Sequence, residues 1–108
     1  MITSNQNPKI QNIRALLQQS KERKNSGLFV VEGVRLFEEA LQANCEINYI
    51  LHSDNLSIRG LELLNQAEEK RIEIDEIPFS LMRKVADTEH PQGIIAVVHQ
   101  KKAPIPRL

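Results

Sequence analysis

Residues 27–36 read Gly-Leu-Phe-Val-Val-Glu-Gly-Val-Arg-Leu, and this stretch decides the fold class. Four consecutive apolar residues with high strand propensity, enclosed between two glycines, predict a short buried strand. Gly33 predicts the turn out of that strand. The spacing of Val34, Phe37 and Leu41 then predicts an amphipathic helix over residues 34–44. A buried strand that leads through a glycine turn into a helix is typical of α/β proteins.

The flanking sequence continues this alternation. Asn7 followed by Pro8 is a favourable helix start and predicts a helix over residues 8–20. The polar stretch 21–27 ends in glycine and predicts a loop. Further on, the hydrophobic patterns predict helices over 57–70 and 79–86 and strands over 47–52, 72–76 and 93–99.

The predicted order is α-β-α-β-α-β-α-β, which indicates one four-stranded sheet with helices on both faces. Residues 93–99 are almost continuously apolar and are predicted to form a central strand. Residues 72–76 alternate between apolar and charged side chains, which favours a strand near the edge. Residues 101–108 contain Pro104 and Pro106 and are predicted to be the start of an extended linker.

Length and composition narrow the class of protein. A chain of 108 residues is enough for one compact domain. Its one cysteine, Cys45, permits no intramolecular disulfide and predicts a cytoplasmic setting. The longest apolar run, Ile94–Val98, is far shorter than a membrane span, and the polar N-terminus is unlike a secretory signal. No membrane association is therefore expected.

The net charge of zero conceals an asymmetry along the chain. Residues 1–35 carry six basic and two acidic side chains, residues 36–90 carry five basic and twelve acidic ones, and residues 91–108 carry three basic ones. Such blocks are compatible with a polyanion partner, but they are equally compatible with ordinary solvated surfaces.

The sequence offers no convincing catalytic or metal-binding motif. His52, His90 and His99 are far apart and lack the i,i+3 or i,i+4 spacing of a ligand pair. The four glycines are dispersed, so no phosphate-binding glycine-rich loop is predicted. We therefore expect no metal, no cofactor and no catalytic residue in this chain.

The first candidate binding segment runs from Arg23 through the predicted strand to Arg35. Arginines can bind phosphates bidentately, and a helix that starts at Gly33 presents free backbone N–H groups. Glu32 can accept hydrogen bonds from a base or hold one of the arginines. A purely structural interpretation is also open, in which Gly33 makes a turn and the charged side chains are solvated.

The second candidate segment precedes the last strand and covers residues 88–93. Gln92 can donate to and accept from the edge of a base, and Gly93 permits a positive φ or a close approach. A rigid loop without a binding role is the alternative.

Taken together, these segments resemble the N-terminal substrate-binding domain of SpoU-class (TrmH-like) RNA ribose methyltransferases. The resemblance covers roughly residues 2–100 and is carried by three motifs in the same order and spacing. They are Ser4-x2-Asn7-Pro8, Lys21-x-Arg23 followed by Gly27-x-Phe29-Val30-Val31-Glu32-Gly33-x-Arg35-Leu36, and Thr88-x2-Pro91-Gln92-Gly93-Ile94.

This resemblance implies a three-layer α/β/α sandwich similar to the kink-turn-binding ribosomal proteins. Residues 1–100 would be the RNA substrate-binding domain. Residues 101–108 would lead to a knotted catalytic domain that is absent from this chain, binds S-adenosylmethionine and forms the homodimer. The implied partner is structured ribosomal or transfer RNA. The implied RNA-binding residues are Asn7, Lys21, Arg23, Lys24, Glu32, Gly33, Arg35, Thr88, Gln92 and Gly93.

Other functions remain open at this stage. A free-standing kink-turn RNA-binding protein would share the fold, although the proline-containing basic end favours a linker. A protein-interaction module could use the acidic third helix, which contains Glu62, Glu68 and Glu69. A small-molecule enzyme is disfavoured because no acid, base or nucleophile cluster is present.

Overall fold

The computed structural model describes residues 1–86 and 88–100. This part of the chain forms five helices and four strands. The helices are α1 (Pro8–Gln18), α2 (Ser20–Ser26), α3 (Val34–Gln42), α4 (Ile58–Glu69) and α5 (Phe79–Ala86). The strands are β1 (Leu28–Glu32), β2 (Ile47–His52), β3 (Ile74–Glu76) and β4 (Ile94–His99). The predicted linker, residues 101–108, lies outside the described residues.

The four strands form one mixed sheet in the order β1-β4-β2-β3. β4 pairs antiparallel with β1 and with β2, whereas β2 and β3 are parallel. Every residue of β4 except His99 is buried, which explains the continuous apolar run. The predictions of a central strand at 93–99 and of an edge strand near 72–76 are confirmed.

Helices cover both faces of the sheet, so the three-layer prediction is also confirmed. Ile95 and Val97 of β4 face α1 and α5, where they join one hydrophobic cluster. Ile94, Ala96 and Val98 point to the other face and pack in a second cluster with α3 and α4. Successive side chains of a strand alternate between faces, so a strand that is apolar throughout can serve both layers.

The start of α1 is fixed by its cap and by an ion pair with the edge strand. Asn7 is the N-cap, as predicted, and its side chain accepts a hydrogen bond from the backbone N–H of Lys9 at 2.9 Å. Lys9 Nζ contacts carboxylates of Asp75 and Glu73 at β3. Burial alone would lower the pKa of Lys9, but the hydrogen bonds to Asp75 and Glu73 outweigh it and raise that pKa.

The loop predicted at 21–27 is wrong, because residues 20–26 form α2. This helix has no buried residue, so it lacks the apolar periodicity that predicts helices. Gly27, with φ of 71°, ends it through a backbone hydrogen bond to Arg23. The Arg23 guanidinium also donates to the Leu16 carbonyl at 2.5 Å, which ties α2 to the end of α1.

Candidate functional site

Two segments nearly sixty residues apart meet at one corner of the sheet, where β1 ends and β4 begins. The Gly33 N–H donates to the Ile94 carbonyl at 3.1 Å. The Val34 N–H donates to Gln92 Oε1 at 2.8 Å. We call residues 32–35 together with Gln92 and Gly93 the Gly33 corner. Both segments singled out in the sequence therefore contribute to one surface.

Gln92 caps the N-terminus of α3. The N-cap residue of α3 is Gly33, which has no side chain to accept from the first N–H groups of the helix. Gln92 supplies the missing acceptor from a distant loop. Because its Oε1 atom is used in this way, its amide NH2 group is left to donate elsewhere.

Two glycines make this close approach possible. Gly33 has φ of 103°, and a Cβ atom there would lie 3.2 Å from Gln92 Oε1. Gly93 has φ of 87°, and a Cβ atom there would lie 2.7 Å from Asn55 Oδ1. Residues with a side chain rarely adopt either conformation. The predicted turn at Gly33 and the predicted positive φ at Gly93 are confirmed.

Hydrogen bonds from residues that follow β2 hold the loop that contains Gln92 in place. The Ser53 N–H donates to the Gly93 carbonyl at 3.0 Å, and Asn55 Nδ2 donates to the Pro91 carbonyl at 3.2 Å. The Ser53 hydroxyl, which is 1% exposed, donates to Asn55 Oδ1. Neither Ser53 nor Asn55 was among the residues that the sequence singled out. Their role depends on the antiparallel pairing of β2 with β4, which no local pattern reveals.

The charged residues of the corner are accessible. The Arg35 side chain is 94% exposed and lies 3.7 Å from Glu39, one turn further along α3. An exposed pair of this kind is weak, so it leaves the guanidinium free to bind an anion. Glu32 is half-buried at the end of β1. The interpretation in which Glu32 holds Arg35 is not supported, because the ion pair of Arg35 is with Glu39.

The basic residues of α2 lie at the opposite end of β1. Gly27 and Gly33 enclose this five-residue strand, which separates their Cα atoms by roughly 20 Å at about 3.3 Å per residue. Arg23 and Arg35 therefore do not form a single phosphate clamp. Arg23 and Lys24 instead border a cavity of about 600 Å³ together with Ser20, Phe29 and Gln100. Lys21 is exposed on the same helix.

Asn7 and Thr88 lie outside the Gly33 corner. Asn7 is at the start of α1, whose Lys9 lies beside β3, and its side chain is used as the helix cap. Thr88 is exposed after α5 and accepts a 3.5 Å hydrogen bond from the His90 N–H. Of the predicted residues, Glu32, Gly33, Arg35, Gln92 and Gly93 are brought together.

Within residues 1–86 and 88–100, no group of three or more His, Cys, Asp or Glu side chains is arranged to hold a metal ion. In the same part of the chain, every helix is too short or too polar to cross a bilayer.

Comparison with known proteins identifies the family. The family model of the MRM3-like substrate binding domain matches residues 7–96. The chain is an MRM3-like substrate-binding domain. An uncharacterised tRNA/rRNA methyltransferase of Synechocystis is 28% identical over 97 residues, which are 90% of this chain and 35% of that protein.

Solved structures of RNA methyltransferases share the fold of this MRM3-like domain. An RNA 2'-O ribose methyltransferase superposes with a TM-score of 0.83 and 26% identity, over 99% of this chain and 40% of that protein. The SpoU methyltransferase AviRb from Streptomyces viridochromogenes, in complex with AdoMet, gives a TM-score of 0.73 and 27% identity. The match covers 88% of this chain and 34% of that protein. The chain thus spans little more than a third of the proteins that it matches.

Proposed function

We propose that this chain recognises the RNA substrate of an S-adenosylmethionine-dependent ribose 2'-O-methyltransferase that modifies ribosomal or transfer RNA. The observation that carries the proposal is the Gly33 corner, in which Gln92 meets the start of α3 beside the exposed Arg35. The membership of an RNA methyltransferase substrate-binding family supports it.

The corner has the chemistry to bind a loop or bulge of RNA. Arg35 offers a guanidinium that can bind a phosphate through two hydrogen bonds. The NH2 group of Gln92 can donate to a base edge or to a phosphate oxygen. Glycine at position 33 lets Gln92 approach the start of α3, where the partial positive charge of the helix favours an anion. Recognition of splayed bases in loops is the usual route to sequence-specific RNA binding.

The basic side chains of α2 would contribute in a different way. Lys21 and Lys24 are exposed, so they attract phosphates without holding them in one geometry. Contacts of this kind add affinity that depends on salt but does not depend on sequence. We assign α2 to the general attraction of RNA and the Gly33 corner to specific contact. Asn7 supports this surface only indirectly, through the position of α1.

The cavity at α2 is poorly suited to the methyl donor. S-adenosylmethionine carries a positively charged sulfonium, and Arg23 and Lys24 border the 600 Å³ cavity at α2. These like charges disfavour the cofactor there. We propose that its binding, the chemical step and the homodimer contacts belong to other parts of the methyltransferase, since this chain corresponds to 35% of its curated relative. The parent enzyme would act in the cytoplasm, which is compatible with a single unpaired cysteine.

The proposal is tested by titrating the chain with structured ribosomal and transfer RNA fragments while backbone amide shifts are recorded. We expect salt-sensitive shifts at residues 32–35 and 88–93, with smaller ones at 21–24. Arg35→Ala should remove most of the shifts at the corner, whereas the matched variant Arg59→Ala on α4 should leave them unchanged. Shifts confined to residues 57–76 would overturn the assignment of RNA contact to the Gly33 corner, and an absence of binding at low salt would contradict the proposal.

A further inference from the structure

The two helical layers carry charge of opposite sign. α1 and α5 contain four basic residues and no acidic residue. α3 and α4, on the other face of the sheet, contain two basic and five acidic residues. Arg83 and Lys84 belong to the acidic middle of the sequence, but the fold places them in the layer of α1. The asymmetry along the chain thus becomes an asymmetry across the sheet.

A cleft runs between α1 and α5 on the basic face. Its volume is about 310 Å³, and its lining comprises Arg14, Leu17, Gln18, Lys84 and Val85. Lys84 also borders two adjoining depressions. One is lined by Thr3, Ser4, Asn5, Ser80 and Leu81, and the other by Arg83, Thr88 and Glu89. Among the described residues that line these three hollows, Glu89 is the one carboxylate.

The cations of the cleft are available for a ligand. Lys9, the other basic residue of α1, is occupied by Asp75 and Glu73. No carboxylate among residues 1–86 and 88–100 lies within 4.0 Å of the charged nitrogens of Arg14 or Lys84. Arg14 is partly buried and Lys84 is exposed, and both side chains line the cleft, so their charged groups can bind anionic oxygens together.

We propose that the α1–α5 cleft binds the phosphate backbone of the substrate RNA, as a second contact separate from the Gly33 corner. This inference rests on the proposed function. Cations surrounded by hydroxyl and amide side chains are the usual ligands of nucleic-acid phosphates. A short length of chain connects the cleft with the corner. Thr88 borders the depression beside Lys84, and four residues later Gln92 caps α3, so the Cα atoms of Thr88 and Gln92 are at most about 14 Å apart.

The test measures RNA affinity as a function of salt for the double variant Arg14→Gln/Lys84→Gln, with a structured ribosomal RNA hairpin as the probe. Each lost phosphate contact should lower the slope of log affinity against log salt by about 0.7–0.9, and the double variant should bind about tenfold more weakly at low salt. The matched control is Lys70→Gln/Arg71→Gln, which removes the same charges at the exposed end of α4. Its slope should be much closer to that of the wild type.

The outcomes separate this inference from the proposed function. If the wild type binds RNA and Gln92→Glu weakens binding, but the cleft variant behaves like its control, the cleft proposal alone fails. If the wild type binds no RNA, the proposed function is contradicted, and the cleft proposal that rests on it is contradicted as well. If Arg14→Gln reduces the melting temperature, Lys84→Gln is tested alone, because Lys84 is exposed. This single variant is expected to give about half the change in the slope of log affinity against log salt. If the cleft variant loses binding to a polyglutamate peptide but keeps the RNA affinity of the wild type, the cleft binds an acidic protein and the proposal is overturned.

Discussion

The two ends of β1 are built in different ways, although both carry residues that the sequence suggests for RNA contact. At the C-terminal end, three segments are joined by hydrogen bonds from the Val34 N–H to Gln92 Oε1 and from Asn55 Nδ2 to the Pro91 carbonyl. At the N-terminal end, α2 is a single exposed helix with no buried residue. A surface held by several segments keeps its donors in one geometry, and this favours specific recognition. An exposed helix contributes charge without comparable geometric constraint.

The largest effect is expected at Gly33. Gly33→Val places a β-branched side chain at φ of 103° and against Gln92, so the free energy of unfolding should fall by roughly 3 kcal/mol. RNA affinity should be lost as well, because the cap by Gln92 is displaced. Urea denaturation and the RNA titration measure both quantities. A variant with wild-type stability and affinity would refute the geometry of the corner.

The matched change at the other end of β1 is Gly27→Ala. Gly27 also has a positive φ, but a Cβ atom there would have no heavy atom within 4 Å beyond its chain neighbours. The expected loss is therefore only the backbone strain of about 1–2 kcal/mol. RNA affinity should change little. A larger loss of stability than for Gly33→Val would reverse the comparison between the two ends.

Asn55 provides an intermediate effect, because it supports the corner without being predicted to contact RNA. Asn55→Ala removes the hydrogen bond to the Pro91 carbonyl and should cost about 1–2 kcal/mol of stability. Hydrogen exchange at Gly93 and Ile94 should become faster as the loop loosens. Unchanged exchange in this loop would show that Asn55 does not hold it.

Arginine substitutions should separate binding from stability. Arg35→Ala should weaken RNA binding about tenfold with almost no change in unfolding free energy, because the Glu39 pair is exposed. Arg23→Ala should instead cost about 1 kcal/mol of stability, since its guanidinium donates to the Leu16 carbonyl. Thermal melts and RNA affinities of both variants test this difference between binding and stability. Equal changes in the two variants would contradict it.

The smallest effect is expected for Lys21→Gln combined with Lys24→Gln. Both side chains are exposed, so stability should be unchanged to within about 0.5 kcal/mol. The salt slope of RNA binding should fall by about 1–2, while the preference among RNA fragments stays the same. A change in that preference would show that α2 takes part in specific recognition.

Local patterns were sufficient to predict most of the fold. The apolar run at Ile94–Val98 predicted the central strand, and the alternation at residues 72–76 predicted the edge. α2 was missed because its stability comes from the Gly27 C-cap and the Arg23 contact, not from a buried face. Helix prediction depends on apolar periodicity, and a helix that is polar on all sides provides none.

The sequence indicated several residues of the Gly33 corner but not their arrangement. Gly33 and Gln92 were both singled out, but the hydrogen bond between Gln92 and Val34 depends on the pairing of β1 with β4. Ser53 and Asn55 were missed because their contacts depend on the pairing of β2 with β4. Arg23 and Arg35 belong to one candidate segment of the sequence, whereas in the fold a five-residue strand separates them.

The most direct test of the account is the variant Gln92→Glu, compared with Gln66→Glu on the exposed surface of α4. A glutamate at position 92 can still accept from the Val34 N–H and is favoured at a helix N-terminus, so the unfolding free energy should be unchanged or slightly higher. It cannot donate to RNA, and its charge repels phosphate. We predict that Gln92→Glu binds structured RNA at least about tenfold more weakly than Gln66→Glu, at equal stability. Equal RNA affinities of the two variants would contradict the claim that the Gly33 corner contacts RNA.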